Sequence, residues 1–270
     1  MKNSYDKRIV NYEAIHQLTK THFDLFVDAI DPQPNDTILD VGAGYGAATR
    51  EMMIRNVSKS IHYSLLEKSK VQVERARKSL SELASPAYIE QFVQFHLGAL
   101  QDYSFEDARF DTVVAKSLIH EIPETQKVEC FKKVYRMLKD KGRFIIWNYL
   151  LDGFNAQFIR KMIRKKDELS GFDELVSERH FPTETQVYQY LYKAGFKTVE
   201  KLHTFTYTHH SKYRLGEFGH NEEILTSFNR FIDELLVKDN PQLKEHLNFR
   251  KEGNDTMVDI QQSILVAHKT

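Results

Sequence analysis

The stretch that decides the fold is Ile38-Leu39-Asp40-Val41-Gly42-Ala43-Gly44-Tyr45-Gly46. It is an apolar strand that delivers Asp40 into a turn with glycine at every second position. Glycine lets the backbone reverse tightly and approach a ligand closely, and the helix that follows presents free N–H groups. The pattern therefore predicts a strand, a ligand-binding turn and a helix, in that order.

A second signal is an acidic residue that closes the next predicted strand. Glu67 follows the apolar run 61–66, about 20 residues after the glycine turn, where its carboxylate can accept hydrogen bonds from both hydroxyls of a ribose. The spacing of Asp40, the glycines and Glu67 favours a nucleoside ligand. The alternative is a tight strand-to-helix turn with an unrelated surface glutamate.

Strand and helix patterns alternate around this unit. Strands are predicted at 37–41, 61–66, 92–97, 110–115 and 143–149, and helices at 46–55, 69–83 and 123–138. Such alternation predicts an α/β fold, namely a Rossmann-like, doubly wound and mostly parallel sheet with helices on both faces. Two later strand patterns, 196–207 and 257–267, are expected at the end of the same sheet and bring it to seven strands.

The rest of the chain is divided into a leading segment and a capped domain. We expect an N-terminal helical segment over 1–35 and one domain over 36–270, with cap insertions at about 150–180 and 211–250. Residues 152–179 have a helical, charged pattern, and 158–166 form a basic amphipathic run. This run is interpreted either as a cap helix with its apolar stripe over the pocket or as a helix that docks on an anionic surface.

Composition limits the partners and the compartment. The 270 residues carry 38 basic and 38 acidic side chains, so no bulk field attracts nucleic acid, and a small, uncharged or weakly charged substrate is favoured. The single Cys130 excludes an intrachain disulfide and a four-thiolate zinc site, which fits the cytoplasm. No window approaches the roughly 18 uninterrupted apolar residues of a membrane span. Oligomeric state stays open.

Residues 36–149 resemble the class I S-adenosylmethionine (SAM)-dependent methyltransferases, in particular the small-molecule branch related to ubiquinone/menaquinone methyltransferases. Residues 38–46 look like the family's first motif, Glu67 like its ribose-binding acid, and 95–100 and 110–120 like its third- and fourth-strand segments. The resemblance implies SAM as cofactor, an antiparallel last strand, and methyl transfer to an O or N atom of a small molecule. A SAM-binding member that does not methylate, such as a cyclase, a decarboxylase or a ligand sensor, is the alternative.

The resemblance also assigns roles at the carboxyl ends of the strands. It places the backbone of Gly42 to Gly44 against the methionine portion, Asp40 on its amino group, Glu67 on the ribose and Lys116 beside the sulfonium. The complete predicted cofactor set is Tyr12, Asp40, Gly42, Ala43, Gly44, Glu67, Lys68, Gly98, Ala99, Leu100, Lys116 and Ser117.

Two positions in this set carry alternatives. Ala99 stands where many relatives have the aspartate that binds adenine, so the backbone near Ala99 and Leu100, or Gln101 or Asp102, would take over that contact. Tyr12 lies on the first predicted helix, where relatives close the cofactor pocket, but core packing explains it almost as well.

His120 is the candidate catalytic residue, as a general base or a group that orients the acceptor, because an imidazole titrates near neutral pH. The alternative is a histidine that caps or packs its loop, and the neighbouring Glu121 is expected to face solvent. His203, His209, His210 and His220 gather after the sixth strand. They lack the spacing of a metal site, so no metal is predicted, but one of them or His180 is a candidate for the substrate pocket.

Overall fold

The computed structural model describes residues 18–56, 58–239 and 241–270, without the side chains of 237–239 and 241. The strands in these ranges are β1 (Thr37–Val41), β2 (His62–Glu67), β3 (Val93–Leu97), β4 (Phe110–Lys116), β5 (Leu138–Tyr149), β6 (Thr198–His210), β7 (Arg250–Glu252) and β8 (Asp255–His268). The α-helices are α1 (Lys20–Ile30), α2 (Ala47–Asn56), α3 (Lys70–Ser81), α4 (Pro86–Phe92), α5 (Lys127–Met137), α6 (Ala156–Leu169), α7 (Asp173–Glu178), α8 (Glu184–Ala194), α9 (Glu222–Asp239) and α10 (Pro241–His246). Short 3₁₀ turns cover Ile119–Glu121, Glu124–Gln126 and Ser211–Arg214.

All the strands belong to one sheet in the order β3-β2-β1-β4-β5-β8-β6, with β7 paired to β8. Strands β1 to β5 are mutually parallel, and β8 runs antiparallel between β5 and β6. The Rossmann-like α/β fold with an antiparallel last strand is thus confirmed. The described sheet has eight strands rather than seven, because β7 folds back on β8 through a turn at Gly253, whose φ is +57°.

The winding of the sheet reverses beside β1. The chain builds β2 and β3 on one side of β1 and returns to place β4 and β5 on the other. At such a switch point the loops leaving the carboxyl ends diverge and open a crevice, which is where open α/β sheets bind ligands. The turn after β1 and the residues after β2, β3 and β4 all face this crevice.

The first described helix packs on the sheet instead of standing apart from it. Phe23 and Phe26 of α1 contact Trp147 of β5, with ring centroids 5.3 and 5.2 Å apart. All three side chains are buried. Of the predicted segment 1–35, residues 1–17, and with them Tyr12, lie outside the described residues.

Local sequence explains where two elements depart from expectation. The helical pattern at 152–179 forms two helices, because Gly171 between α6 and α7 has a φ of +67°, which ends a right-handed helix. An additional helix, α4, begins at Pro86 and is capped by the Ser85 hydroxyl, which accepts the Tyr88 N–H.

The insertions after β5 and β6 pack against each other over the crevice. Phe158, Ile159 and Met162 of α6 share one buried cluster with Phe228 and Ile232 of α9. The apolar stripe of the basic run 158–166 therefore faces inward, as in the cap-helix interpretation. None of the helices in the described ranges is long and apolar enough to cross a membrane.

Candidate functional site

One cleft at the carboxyl ends of the strands gathers the predicted residues. It holds about 1550 Å³ of empty space, including its open mouth. The predicted cofactor residues that line it are Asp40, Gly42, Ala43, Gly44, Glu67, Lys68, Gly98, Ala99, Leu100, Lys116 and Ser117. His120 lines the same cleft, so of the predicted site residues Tyr12 alone is outside the described part of the chain.

The turn after β1 requires glycine at positions 42 and 44. Gly42 and Gly44 have φ values of +65° and +56°, a left-handed conformation that costs other residues energy. A Cβ on Gly42 would stand 2.5 Å from Cδ1 of Leu118, whereas a Cβ on Gly44 would meet no atom within 4 Å. The backbone of Gly44 therefore borders open space in the cleft wall, where a ligand can approach it.

Glu67 is the last residue of β2 and is held by two backbone donors. Gly44 N–H donates to Oε2 at 3.0 Å and Ser69 N–H donates to Oε1 at 2.8 Å. Burial raises the pKa of Glu67, and these donors partly oppose that rise. The carboxylate is thus fixed against the glycine turn, and these two bonds occupy only part of its acceptor capacity.

Asp40 is the second buried carboxylate of the cleft. Burial raises the pKa of Asp40 to about 7, while the Thr49 hydroxyl, which donates to Oδ2 at 2.8 Å, and the charge of Lys116 oppose the rise. An ionised carboxylate that is short of solvent favours a cation beside it. The position therefore suits the ammonium group of a ligand.

Lys116 is the last residue of β4, and Ser117 follows it. Ser117 adopts a φ of +54°, and its N–H donates to the carbonyl of Trp147 at 2.7 Å. The Lys116 Nζ lies 5.1 Å from the centre of the Trp147 ring, within cation–π range. Uncommon backbone geometry of this kind concentrates at functional sites, here where the strand opens into the cleft.

The segment after β3 lines the cleft with backbone and one amide side chain. Gly98 N–H donates to the Glu67 carbonyl at 2.9 Å, and a Cβ on Gly98 would stand 2.8 Å from Cδ2 of Tyr103. Ala99 and Gln101 both line the cleft. Position 99 has no carboxylate, so Gln101 and the nearby backbone are the polar groups that this segment presents to the cleft.

His120 is buried at the junction of the cofactor side and the cap. Its ring stacks on Phe181 with centroids 4.5 Å apart, and Nδ1 lies 3.0 Å from Oδ1 of Asn148. The Asn148 amide donates to the Tyr149 carbonyl, so its oxygen faces the histidine and Nδ1 is the donor. Burial lowers the pKa of His120, which favours the neutral ring.

Glu121 does not face solvent as expected, because an arginine from the cap buries it. The Arg179 Nε donates to Oε2 of Glu121 at 2.7 Å, and the Arg179 Nη2 donates to Oε1. The Arg179 Nη1 lies 3.1 Å from Oδ2 of Asp167. The Glu121 side chain is only 11% exposed, and its Oε1 lies 3.3 Å from Nε2 of His120.

The ion-pair chain continues into the cap. Lys166 lies 2.5 Å from Asp167 and 3.1 Å from Glu217, and Arg214 lies 3.9 Å from Glu217. The Arg214 Nε donates to Nε2 of His209 at 3.2 Å. The cationic side chains of these ion pairs line the cleft, whereas Asp167 and Glu217 lie behind them.

The structure separates the histidine candidates. His209 lines the cleft, whereas the described residues that line it do not include His180, His203, His210 or His220. Sequence reasoning did not select Lys166, Arg179 or Arg214. Two sequence patterns could have predicted part of the cap side of the cleft. Lys166 continues the i, i+4 stripe of Phe158 and Met162, and His209 lies on the same face of β6 as Tyr207.

No group of three or more metal-ligating side chains lies together in the part of the chain that the structure describes. The cleft instead combines buried carboxylates, a glycine turn and, towards the cap, the aromatic side chains of Tyr149, Phe181 and Phe228. Such an arrangement can hold a nucleoside on the sheet side and a second molecule under the cap.

Comparison with known proteins agrees with this geometry. The family model described as a methyltransferase domain matches residues 32–195, more than half of the chain. Phosphoethanolamine N-methyltransferase 2 of Caenorhabditis elegans is 29% identical over 119 residues, which cover 44% of this chain and 25% of that protein. The chain thus matches only a quarter of the length of that relative.

Solved structures reproduce the fold. A Bacillus halodurans protein described as a candidate methyltransferase superimposes with a TM-score of 0.76 at 16% identity, over 92% of this chain and 99% of that one. Geranyl diphosphate C-methyltransferase from Streptomyces coelicolor, in complex with S-adenosylhomocysteine (SAH), gives a TM-score of 0.56 at 13% identity over 94% and 77%. The fold is that of class I methyltransferases.

Proposed function

This chain belongs to the methyltransferase-domain family, the class I SAM-dependent methyltransferases, and from that premise we propose that it transfers the methyl group of SAM to an O or N atom of a small molecule. The observation that carries the proposal is the convergence of Asp40, the Gly42–Gly44 turn and Glu67 on one cleft beneath a cap. The non-methylating alternative is not favoured by the family match or the relatives.

The residues of the cleft fit SAM. Asp40 is a buried carboxylate that lacks a full set of donors, which suits the ammonium group, and Glu67 is oriented to accept from the ribose hydroxyls. The backbone of Gly42 to Gly44 leaves room for the methionine portion, and Lys116, which the resemblance assigns to the sulfonium, lines the same cleft. Bound SAM supplies an activated methyl group on a sulfonium.

We assign the proton-acceptor role to His120. Its Nδ1–H is held by Asn148, so the neutral ring presents Nε2, and burial keeps it neutral at physiological pH. Once Nε2 gains a proton from the acceptor, the carboxylate of Glu121 at 3.3 Å stabilises the imidazolium. Arg179 in turn holds Glu121 in place.

The cap supports a small acceptor with an apolar or aromatic part. Met162, Phe181 and Phe228 line the cap side of the cleft and are all buried. The two named relatives above also take small molecules by name, phosphoethanolamine and geranyl diphosphate. We extend the proposal to a cytoplasmic enzyme that does not act on nucleic acid, which the balanced charge and the single Cys130 support.

Calorimetric titration with SAH tests the proposal. The wild-type protein should bind one SAH per chain with micromolar affinity. Glu67→Ala should weaken binding at least tenfold, about 1.4 kcal/mol, because it removes the ribose acceptor. Glu74→Ala is the matched control, since Glu74 lies on α3 with its side chain 64% exposed, and it should bind as the wild type does. An absence of heat at high micromolar SAH would contradict the proposal.

Turnover separates methylation from a merely structural use of the cofactor. The protein is incubated with methyl-labelled SAM and a panel of small hydroxyl- and amine-bearing acceptors. Label should appear in an acceptor together with SAH. SAH binding without label in any acceptor, across a panel of aromatic and aliphatic alcohols and amines, would favour the non-methylating alternative.

A further inference from the structure

The cap side of the cleft presents cations to the substrate space. Lys166, Arg179 and Arg214 all line the cleft, and their side chains are between 6% and 8% exposed. The carboxylates that bridge them, Asp167 and Glu217, are 1% exposed and do not line it. Of the carboxylates paired with these cations, Glu121 also lines the cleft, whereas Asp167 and Glu217 lie behind it. Cations therefore outnumber carboxylates on the cap side of the cleft, although the chain as a whole has no net charge.

Arg214 is the cation of this wall with unused hydrogen-bonding capacity. Within the described ranges its guanidinium makes a single hydrogen bond, from Nε to His209, and its ion pair with Glu217 is long at 3.9 Å. A guanidinium carries five N–H donors, and the two Nη groups form a planar fork that matches an oxyanion. The fork of Arg214 is thus placed in the cleft wall for a ligand.

His209 supplies a second and independent observation. An arginine Nε can only donate, so Nε2 of His209 accepts, and the neutral ring must carry its proton on Nδ1. Burial and the charge of Arg214 hold the pKa of His209 well below its ordinary value, so the ring stays neutral. Nδ1 is buried without a hydrogen-bond partner in the described residues, although His209 lines the cleft.

The energy of this wall points to a ligand rather than to stability alone. Burying ion pairs has a desolvation cost, and apolar residues of similar volume would often stabilise the fold as well or better. A buried donor without a partner adds a further cost. A ligand that accepts from His209 and pairs with Arg214 would satisfy the unpartnered donor and the unused guanidinium N–H groups.

We propose that the acceptor carries an oxyanion, a carboxylate or a phosphate, that binds the guanidinium fork of Arg214 and Nδ1–H of His209, with Lys166 and Arg179 completing a positive recess. The inference rests on the proposed function, because the recess orients the acceptor relative to SAM. It differs from the expectation of an uncharged or weakly charged substrate, which was drawn from the net charge, because the substrate meets the local charge of the cleft and not the sum over the chain.

Ligand-observed NMR on the SAH-saturated protein tests the recess with benzoate, phenyl phosphate and benzamide. The three probes share a phenyl ring, which suits the aromatic cap, and differ in the charge of the head group. At least one anion should bind tenfold or more tightly than benzamide, and the better anion identifies the head group. Equal or tighter binding of benzamide, or no binding of either anion at 10 mM, would overturn the proposal.

Two variants test whether Arg214 is responsible for the preference for anions. Arg214→Gln should bring the anion's affinity to within twofold of that of benzamide, while SAH affinity stays within twofold of the wild type. Arg250→Gln is the control, because Arg250 lies on β7, pairs with Asp259 and is not among the cleft-lining residues. A preference for anions that survives in Arg214→Gln contradicts the assignment. If Arg214→Gln does not fold, the comparison of probes on the wild-type protein still decides.

The design separates two failures. Loss of the proposed function would show as a wild-type protein that does not bind SAH. Failure of this inference alone would show as a protein that binds SAH but does not distinguish benzoate or phenyl phosphate from benzamide.

Discussion

Replacement of Gly44 by alanine tests whether the turn after β1 borders the cofactor. Gly44 has a φ of +56°, and an added Cβ would meet no protein atom within 4 Å. The change therefore costs the free protein only the left-handed strain of an alanine, about 1–2 kcal/mol. For a chain of this size that corresponds to a fall in Tm of roughly 2–8 °C. The same Cβ would occupy the space in which we place the methionine portion.

Gly171→Ala is a matched control. Gly171 has a φ of +67°, an added Cβ there also meets nothing within 4 Å, and the residue is not part of the cleft lining. Both variants should lose similar stability in thermal unfolding, but only Gly44→Ala should lose SAH affinity in calorimetry, by at least tenfold, about 1.4 kcal/mol. Unchanged affinity in Gly44→Ala, or an equal loss in Gly171→Ala, would refute the reasoning.

Three further predictions concern buried titratable groups. Since burial raises the pKa of Asp40 from 3.8 to about 7, ionisation costs the folded state stability as the pH rises from about 4 to 7. At pH 8 the free energy of unfolding of Asp40→Asn, measured with denaturant, should therefore exceed that of the wild type by up to about 4 kcal/mol. The difference should shrink towards pH 4, and the variant should bind SAH more weakly. Lys127 is fully buried, and burial lowers the pKa of Lys127 to about 7. Its Nζ donates to the carbonyl of Ile119, the first residue of the 3₁₀ turn that carries His120, and to that of Ile122, the residue after the turn. Lys127→Met should speed amide exchange across that turn, whereas Lys132→Met, exposed on the same helix, should not. His120→Gln should lower kcat about 100-fold or more and leave SAH affinity within twofold; because burial lowers the pKa of His120 below 6.5, the wild-type rate should be flat above pH 7 and fall at lower pH. A rate unchanged by His120→Gln would remove the proton-acceptor role.

The sheet side of the site could be predicted because its determinants are local. Asp40, the glycines and Glu67 lie at fixed distances from strand ends, and parallel strands place those ends at one edge. The alternation of strand and helix patterns carries the same information, so fold and cofactor cleft follow from short-range spacing. The eighth strand was missed because β7 has only three residues and forms by pairing with β8.

The cap side could not be predicted because its charges are buried only through distant partners. Glu121 meets Arg179, 58 positions away, and without that partner a glutamate belongs in solvent. Lys166 and Arg214 come from different insertions and meet at Glu217. The position of a charge in the sequence does not reveal such pairs, and a net charge of zero does not show that Lys166, Arg179 and Arg214 line one cleft.

A crystal structure of the protein with SAH tests the central claim most directly. The account predicts that the ribose hydroxyls lie within hydrogen-bond distance of Glu67, the ammonium beside Asp40 and the methionine portion against the backbone of Gly42 to Gly44, with the sulfur directed at the cap and His120. SAH bound elsewhere, or in this cleft with its ribose away from Glu67, would contradict the account.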